Sequence, residues 1–390
     1  MNSTKVAIGP LTVSFAEDPF CRNLLNTMYG KLSHSESDID VQIEGHDWRE
    51  TAIPHEGITR ASDRILTDGD THYIVNIRSY SPPKKWVVDH VGQHGYALVI
   101  DGWDSDILSI DVYYDGTLYE NGFYPIRYYL KFRDRTFANY RDKLAKNFVY
   151  GVLEPLWQAW MISQETTFLH ASSLSINGRG IALTGWGGSG KTSASSALIR
   201  NSEHIKFLSD DLAIITSQGE IYPYYKSSVI YPYNTAGDTL PKSDFLNGFS
   251  DQFQWKLREW KNGKKGVRRR VPPEKLFAGQ VGRPGSRELE KVVYLSREKR
   301  EYLDHEWIAS EEMARRSTAV ILDELDWLIE YSSAICATGS MSVVPQNIVE
   351  RTEGIYRNCF DSVETVLLHI PMNSGPNELA DYLVDSVVNE

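Results

Sequence analysis

The chain has 390 residues, with 41 Lys and Arg against 52 Asp and Glu, a formal charge of −11; this argues against non-specific nucleic-acid or anionic-membrane binding as the main activity and leaves room for a local basic patch. Apolar residues make up 41% and charged residues 24%, an ordinary globular balance that excludes disorder, low complexity and fibres as the default. The three cysteines, Cys21, Cys336 and Cys359, lie far apart, which excludes a CxxC zinc site or a disulfide framework and fits a reducing compartment.

The N-terminus lacks the apolar core of a signal peptide, and no stretch reaches ~18 apolar residues, so a cytoplasmic location without membrane contact is expected. The length suggests two domains. Residues 1–149 read as a β-rich N-terminal domain whose role stays open between substrate selection and an oligomer contact. His72–Arg78 and Asp106–Tyr114 are its clearest strands, the second followed by the turn pair Asp115-Gly116. Its Trp86 and Trp103 fit core packing. Residues 31–66 are polar and weakly periodic, and no element is assigned to them.

Tyr150–Gln164 reads as a helix, and the domain boundary is placed at its start. Residues 150–390 then form an α/β domain with extra hairpins. Phe168–Ile176 and Gly180–Thr184 are a strand pair joined through Asn177-Gly178, a strong hairpin signal. A Gly-rich loop, Gly185–Gly190, leads into a helix from Lys191 to about Arg200. The strand Ile205–Leu208 ends at Ser209-Asp210-Asp211. Leu212–Thr216 and Ile221–Tyr225 form a second hairpin across Gln218-Gly219. Residues 226–290 read as irregular. A strand at Lys291–Leu295, a helix from about Ser310, a strand at Val363–Ile370 and a helix at Pro376–Val388 complete the chain.

Gly185-Trp186-Gly187-Gly188-Ser189-Gly190-Lys191-Thr192 satisfies G-x-x-x-x-G-K-[ST], after an apolar strand and at the start of a helix, the context the motif requires. Glycines let backbone N–H groups converge on phosphate oxygens, and the helix N-terminus adds free donors. Lys191 would reach the β- and γ-phosphates; Thr192 would hold Mg²⁺ through its hydroxyl, and Ser193 continues the nucleotide-binding run. Asp210 and Asp211 follow Lys191 by 19 and 20 residues, at the end of the next strand, where parallel topology would bring them beside the loop. Two carboxylates there can divide the work of metal binding and proton acceptance. His170 opens the preceding strand. A His in apolar surroundings is most often structural, but the hairpin would put it at the same sheet end. Lys256–Arg270 holds eight basic residues and one acid. It reads either as a clamp on phosphate or an anionic acceptor, with Arg268, Arg269 and Arg270 as contacts, or as a solvated loop. Asp323 and Asp326 fit the polar face of a helix.

The joint pattern of His170-Ala171-Ser172-Ser173, the loop Gly185–Thr192 and Ser209-Asp210-Asp211 resembles the HPr serine kinase/phosphorylase family and the related kinases that share a core with phosphoenolpyruvate carboxykinase. Arg270-Val271-Pro272-Pro273 with Leu276-Phe277 extends the likeness, which covers about residues 150–390. The resemblance implies a P-loop kinase core using ATP and Mg²⁺. It implies Asp210 as catalytic base, His170 as its partner near the γ-phosphate, and Asp211 as the carboxylate linked to Mg²⁺ and Lys191. The acceptor would be a hydroxyl on a small metabolite or on a peptide or protein serine. A homo-oligomer is expected and a nucleic-acid partner is not. A nucleotide hydrolase or switch, with Asp210 activating water, is the alternative.

Overall fold

The computed structural model describes residues 3–29, 38–47, 50, 59–60, 65–68, 71–75, 96–101, 107–114, 116, 119, 140–232, 234, 242, 245–246, 248–263, 267–277, 279–324 and 345–388. It is a mixed α/β protein with two large sheets.

β1 (Ser3–Ile8) and β2 (Leu11–Ala16) form a tight hairpin, its register closing at Ile8 and Leu11. The Asp18 carboxylate accepts from the amides of Phe20 and Cys21 at 2.8 and 2.9 Å. That cap starts α1 (Pro19–Leu24), with proline in the first turn, where no N–H is needed. β3 (Val41–Asp47), β4 (Thr59–Arg60), β5 (Ile65–Asp68), β6 (Thr71–Val75), β7 (Tyr96–Asp101) and β8 (Leu108–Tyr114) complete an eight-stranded sheet in the order β1-β2-β3-β8-β7-β6-β5-β4. The β-rich reading of this region agrees with its strands. The expected strands His72–Arg78 and Asp106–Tyr114 correspond to β6 and β8; residues 76–78, Asp106, Trp86, Trp103 and Asp115 lie outside the described residues.

The expected helix at Tyr150 begins earlier. α2 (Tyr140–Phe148) runs through a π-turn at Val149–Leu153 into α3 (Glu154–Ile162), every residue of which is buried. The placed boundary therefore falls inside a continuous helical run. One apolar core crosses it: Val6, Phe15 and Tyr29 of the first region pack in the same cluster as Trp157, Phe168 and Tyr224.

The second sheet is built from β9 (Thr166–Leu169), β10 (Ala171–Ile176), β11 (Arg179–Thr184), β12 (Ile205–Ser209), β13 (Ala213–Thr216) and β14 (Glu220–Tyr222). α4 (Lys191–Asn201) connects β11 to β12. β15 (Ser228–Ile230), α5 (Gly248–Asn262), β16 (Arg269–Val271) and α6 (Pro273–Leu276) follow, then β17 (Arg287–Glu298), β18 (Asp304–Trp307), α7 (Ser310–Glu324), α8 (Pro345–Phe360), β19 (Glu364–Pro371) and α9 (Pro376–Leu383). The order is β12-β10-β11-β17-β14-β13-β9, with β19 on β17 and β18 on β19.

The fold departs from three expectations. The strand drawn across Phe168–Ile176 breaks at His170: β9 pairs with β13, whereas β10 pairs with β11 and β12. The strand ending in Asp210-Asp211 is not the immediate neighbour of the loop strand; antiparallel β10 lies between them. The segment 226–290 holds a 15-residue helix, α5, and a two-stranded ribbon, β15 with β16. The hairpin at Asn177-Gly178 does form. Both residues have positive φ, 52° and 90°, the geometry of the mirror-image turn that suits strand twist. Among the described residues no helix is long and apolar enough to cross a membrane.

Candidate active site

Strand register brings the candidate residues together. Ala171 pairs with Thr184, and Ser173 pairs with Ser209. The start of β10 thus lies at the same sheet end as the ends of β11 and β12. His170, the Gly185–Gly190 loop and Asp210-Asp211 all leave the sheet there. Small hydroxyl residues line this end: Ser172 Oγ lies 2.6 Å from Ser195 Oγ on α4, which lets the helix sit close to the strands.

Glycine is required in the loop for two reasons. Gly185 has φ 134°, and a Cβ there would meet the Leu295 carbonyl oxygen at 2.6 Å. Gly190, the N-cap of α4, has φ 109°. By contrast, a Cβ at Gly187 or Gly188 would meet nothing within 4 Å, so this stretch of backbone borders open space. Gly185→Ala is expected to lower stability by about 1–3 kcal/mol, read as a reduced denaturant midpoint at unchanged slope.

The loop is held from both sides. The Lys191 ammonium donates to the carbonyls of Gly185 and Trp186, at 2.5 and 3.1 Å. Arg297, at the end of β17, donates through Nε to the Ser189 carbonyl at 3.1 Å and through Nη1 to those of Pro371 and Met372, each at 3.2 Å. The guanidinium thereby ties the loop to the end of β19. Burial lowers the Lys191 pKa to about 8, against the pull of Asp211 and Asp210.

The two neighbouring carboxylates sit in opposite environments. Asp210 Oδ1 accepts from Thr192 Oγ1 at 2.8 Å, and its side chain is buried. Burial, then the Asp211 charge, pushes its pKa up. Asp211 adopts φ 77°, an uncommon backbone for a non-glycine residue, although aspartate is among the residues that tolerate it. Its Oδ2 lies 3.1 Å from Lys226 Nζ and accepts from the Tyr150 hydroxyl at 3.0 Å. Burial opposes its charge, but its cationic neighbours, Lys226 first and Arg270 with it, outweigh that and hold its carboxyl well below the usual carboxylate range.

Lys226 is fully buried and bridges two acids, with Glu154 Oε1 at 2.6 Å on its other side. Burial works against the ammonium, but Glu154, Tyr150 and Asp211 together keep it charged. The chain of contacts continues outward. The Tyr224 hydroxyl donates to Glu154 at 2.9 Å and lies 3.2 Å from the Tyr29 hydroxyl of the first region.

His170 is 4% exposed, and neither ring nitrogen has a hydrogen-bond partner among the described residues. Its Nε2 faces Glu324 Oε1, the last residue of α7, at 3.6 Å. Burial, followed by the Lys191 charge, lowers its pKa to about 4, so the ring is neutral at pH 7.

Lys191, both aspartates, Tyr150, His170 and Glu324 border a cleft of about 480 Å³; Lys226, Glu154 and Arg297 stand behind its wall. Its lining includes Gly187, Gly188, Gly190, Lys191, Thr192, Ser193, Asp210, Asp211 and His170 of the expected set, with Arg268 and Arg270. Gly185, Trp186 and Ser189 belong to the loop but not to the lining; Trp186 is 48% exposed. Arg269 is buried and also outside the lining, because alternation along β16 turns it away from Arg270. The Thr192 hydroxyl donates to Asp210, the expected base, while Asp211, the carboxylate expected at Mg²⁺, contacts Lys226 and accepts from Tyr150. Among the described residues Asp211, His170 and Glu324 lie close enough together to hold a metal ion, and Thr192 lines the same cleft.

Sequence reasoning missed Tyr150, Glu154, Lys226, Asn234, Arg297 and Glu324. Asn234 donates to Ser193 Oγ at 2.8 Å across the cleft wall. The available signal was a lone acid, Glu154, in an otherwise apolar helix. Asp323, placed on a polar helix face, is exposed at the end of α7; Asp326 lies outside the described residues. No protein-family model matches this chain, and neither does any curated protein.

Proposed function

We propose that the protein is an ATP- and Mg²⁺-dependent phosphotransferase with a P-loop core of HPr kinase/phosphoenolpyruvate carboxykinase type. It moves the γ-phosphoryl group to a hydroxyl of a small metabolite or of a peptide or protein serine. The observation that carries this reading is the cleft itself. It gathers Lys191, Thr192, Asp210 and Asp211 at the mouth of a glycine-rich loop that opens a helix.

The residues fit the substrate. The open backbone at Gly187 and Gly188 leaves room for phosphate oxygens beside the N-terminus of α4. Thr192 and Asp211 offer the hard oxygen ligands that Mg²⁺ prefers, Asp211 in a group with His170 and Glu324 that could hold an ion, and when bound the ion would neutralise charge on the phosphate oxygens. Asp210 takes the proton of the acceptor hydroxyl as the new P–O bond forms and the bond to ADP breaks. The opposite environments of the two aspartates support this division. One carboxyl is pushed up toward a basic role and its neighbour is locked as an anion. Lys191 and Arg270 stabilise the charge spread over the transferring group. Neutral His170 orients that group without adding charge of its own.

The test uses γ-labelled ATP with Mg²⁺ and separated metabolite and protein fractions. Wild type is expected to move label onto one fraction, and Lys191→Ala is expected to transfer about 10²–10³-fold more slowly. Label appearing solely as inorganic phosphate, whatever fraction is added, would replace this reading with the hydrolase or switch.

A further inference from the structure

The basic stretch Lys256–Arg270 is only partly absorbed by the cleft. Its first part belongs to α5, which presents an unusual surface. Phe249, Phe253, Leu257 and Trp260 are exposed by 85%, 57%, 49% and 84%. Phe249 and Phe253 stack on each other, with ring centroids 6.4 Å apart. With 3.6 residues per turn, these four positions fall within an arc of about 80°. Lys256 and Lys261, both exposed, flank that arc on its two sides. On the opposite face Trp255 is buried against Phe245, which anchors the helix to the body.

We propose that α5 seats the protein on an anionic lipid bilayer, with the aromatic stripe entering the headgroup boundary and the two lysines reaching lipid phosphates. An aromatic and aliphatic stripe flanked by lysines suits an interface that is apolar below and anionic above. The chain as a whole carries −11 and would be repelled by such a surface, so the attraction must be local, and α5 supplies it. Glu259, an acid on the same helix, is met by Lys242 at 3.9 Å, which reduces its opposition. A second copy of the chain fits less well. Four side chains are far fewer than the roughly 20–30 residues per side of a stable protein interface, whereas a short stripe with basic flanks is enough for reversible bilayer attachment.

The experiment is co-sedimentation of the full chain with vesicles of phosphatidylcholine alone or with about a third phosphatidylserine. Wild type is expected to pellet with the anionic vesicles only and to be released by high salt. Phe249→Ser with Trp260→Ser, and separately Lys256→Glu with Lys261→Glu, are each expected to weaken binding at least about tenfold. All four residues are exposed, so the melting temperature of both variants is expected to match wild type. Equal binding to neutral vesicles, absence of binding to anionic ones, or wild-type binding by the double serine variant would overturn the proposal. A solution dimer that the serine variant dissolves would assign the stripe to a second copy instead.

Discussion

Asp210→Asn is expected to lower turnover by about 10²–10⁴-fold, the usual contribution of a positioned base, while nucleotide binding survives. The amide oxygen can still accept from the Thr192 hydroxyl, which now lies 2.8 Å from Asp210 Oδ1. The loop, Lys191 and the helix N-terminus are left in place. What is lost is the ability to take a proton. Stability is expected to hold or rise, since a buried carboxylate next to another carboxylate is replaced by a neutral group of the same shape. The pH profile gives an independent check. Protonation removes the base, so wild-type turnover falls as the pH falls; because burial pushes the Asp210 pKa up, that limb lies above the usual carboxylate range. In Asp210→Asn this limb is absent. Single-turnover rates across pH, with nucleotide titrations alongside, separate the two effects. Transfer at the wild-type rate by the variant would remove Asp210 from the proposed role.

What could be read from the sequence here is what short-range chemistry dictates. Asn177-Gly178 turns the chain because both residues tolerate positive φ. Gly185, Gly190, Lys191 and Thr192 are constrained by one loop and the first turn of α4, and Asp210-Asp211 follow directly from β12. The break at His170 was hidden because residues 166–176 carry uninterrupted strand preference, and only pairing with different partners divides them. Lys226 and Glu154 are 72 positions apart and meet only in the folded core. Arg297 reaches Ser189 from 108 positions away. Nothing local marks either basic residue as different from a surface one. Three consecutive arginines look alike in sequence, and only strand alternation along β16 separates Arg269 from Arg270. α5 is hard to read because Phe249, Phe253, Leu257 and Trp260, spaced four, four and three positions apart, lie among polar residues and face outward rather than into the core.

Lys226→Met is expected to destabilise the protein by about 3–5 kcal/mol. The methionine would fill much the same volume, so packing alone would explain little of this. The loss comes from Glu154 and Asp211, which share the ammonium at 2.6 and 3.1 Å and would be left as anions without it. The pH dependence has a definite sign. In wild type the Asp211 pKa is depressed, so its contribution is present at neutral pH and is lost only as the pH falls through that low value. Burial pushes the Glu154 pKa up even beside Lys226, so in Lys226→Met Glu154 binds a proton more readily than it does in the unfolded chain and the variant gains stability as the pH falls. The gap between the two proteins is therefore largest at neutral pH and narrows in acid. Adding Glu154→Gln to Lys226→Met removes one stranded charge and keeps an acceptor for the Tyr224 hydroxyl, which donates to Glu154 at 2.9 Å. The double variant is expected to recover at least about 1 kcal/mol over the single one. Denaturant unfolding of the three proteins at neutral and acidic pH tests the scheme. A single variant within about 0.5 kcal/mol of wild type, or a gap that widens in acid, would mean that Lys226 does not stabilise the charges of Glu154 and Asp211. If the scheme holds, Lys226 also fixes where Asp211 stands beside the glycine loop. The Glu154–Tyr224–Tyr29 contacts then tie that position to the first sheet, and a disturbance at Tyr29 is felt at the proposed site of phosphoryl transfer.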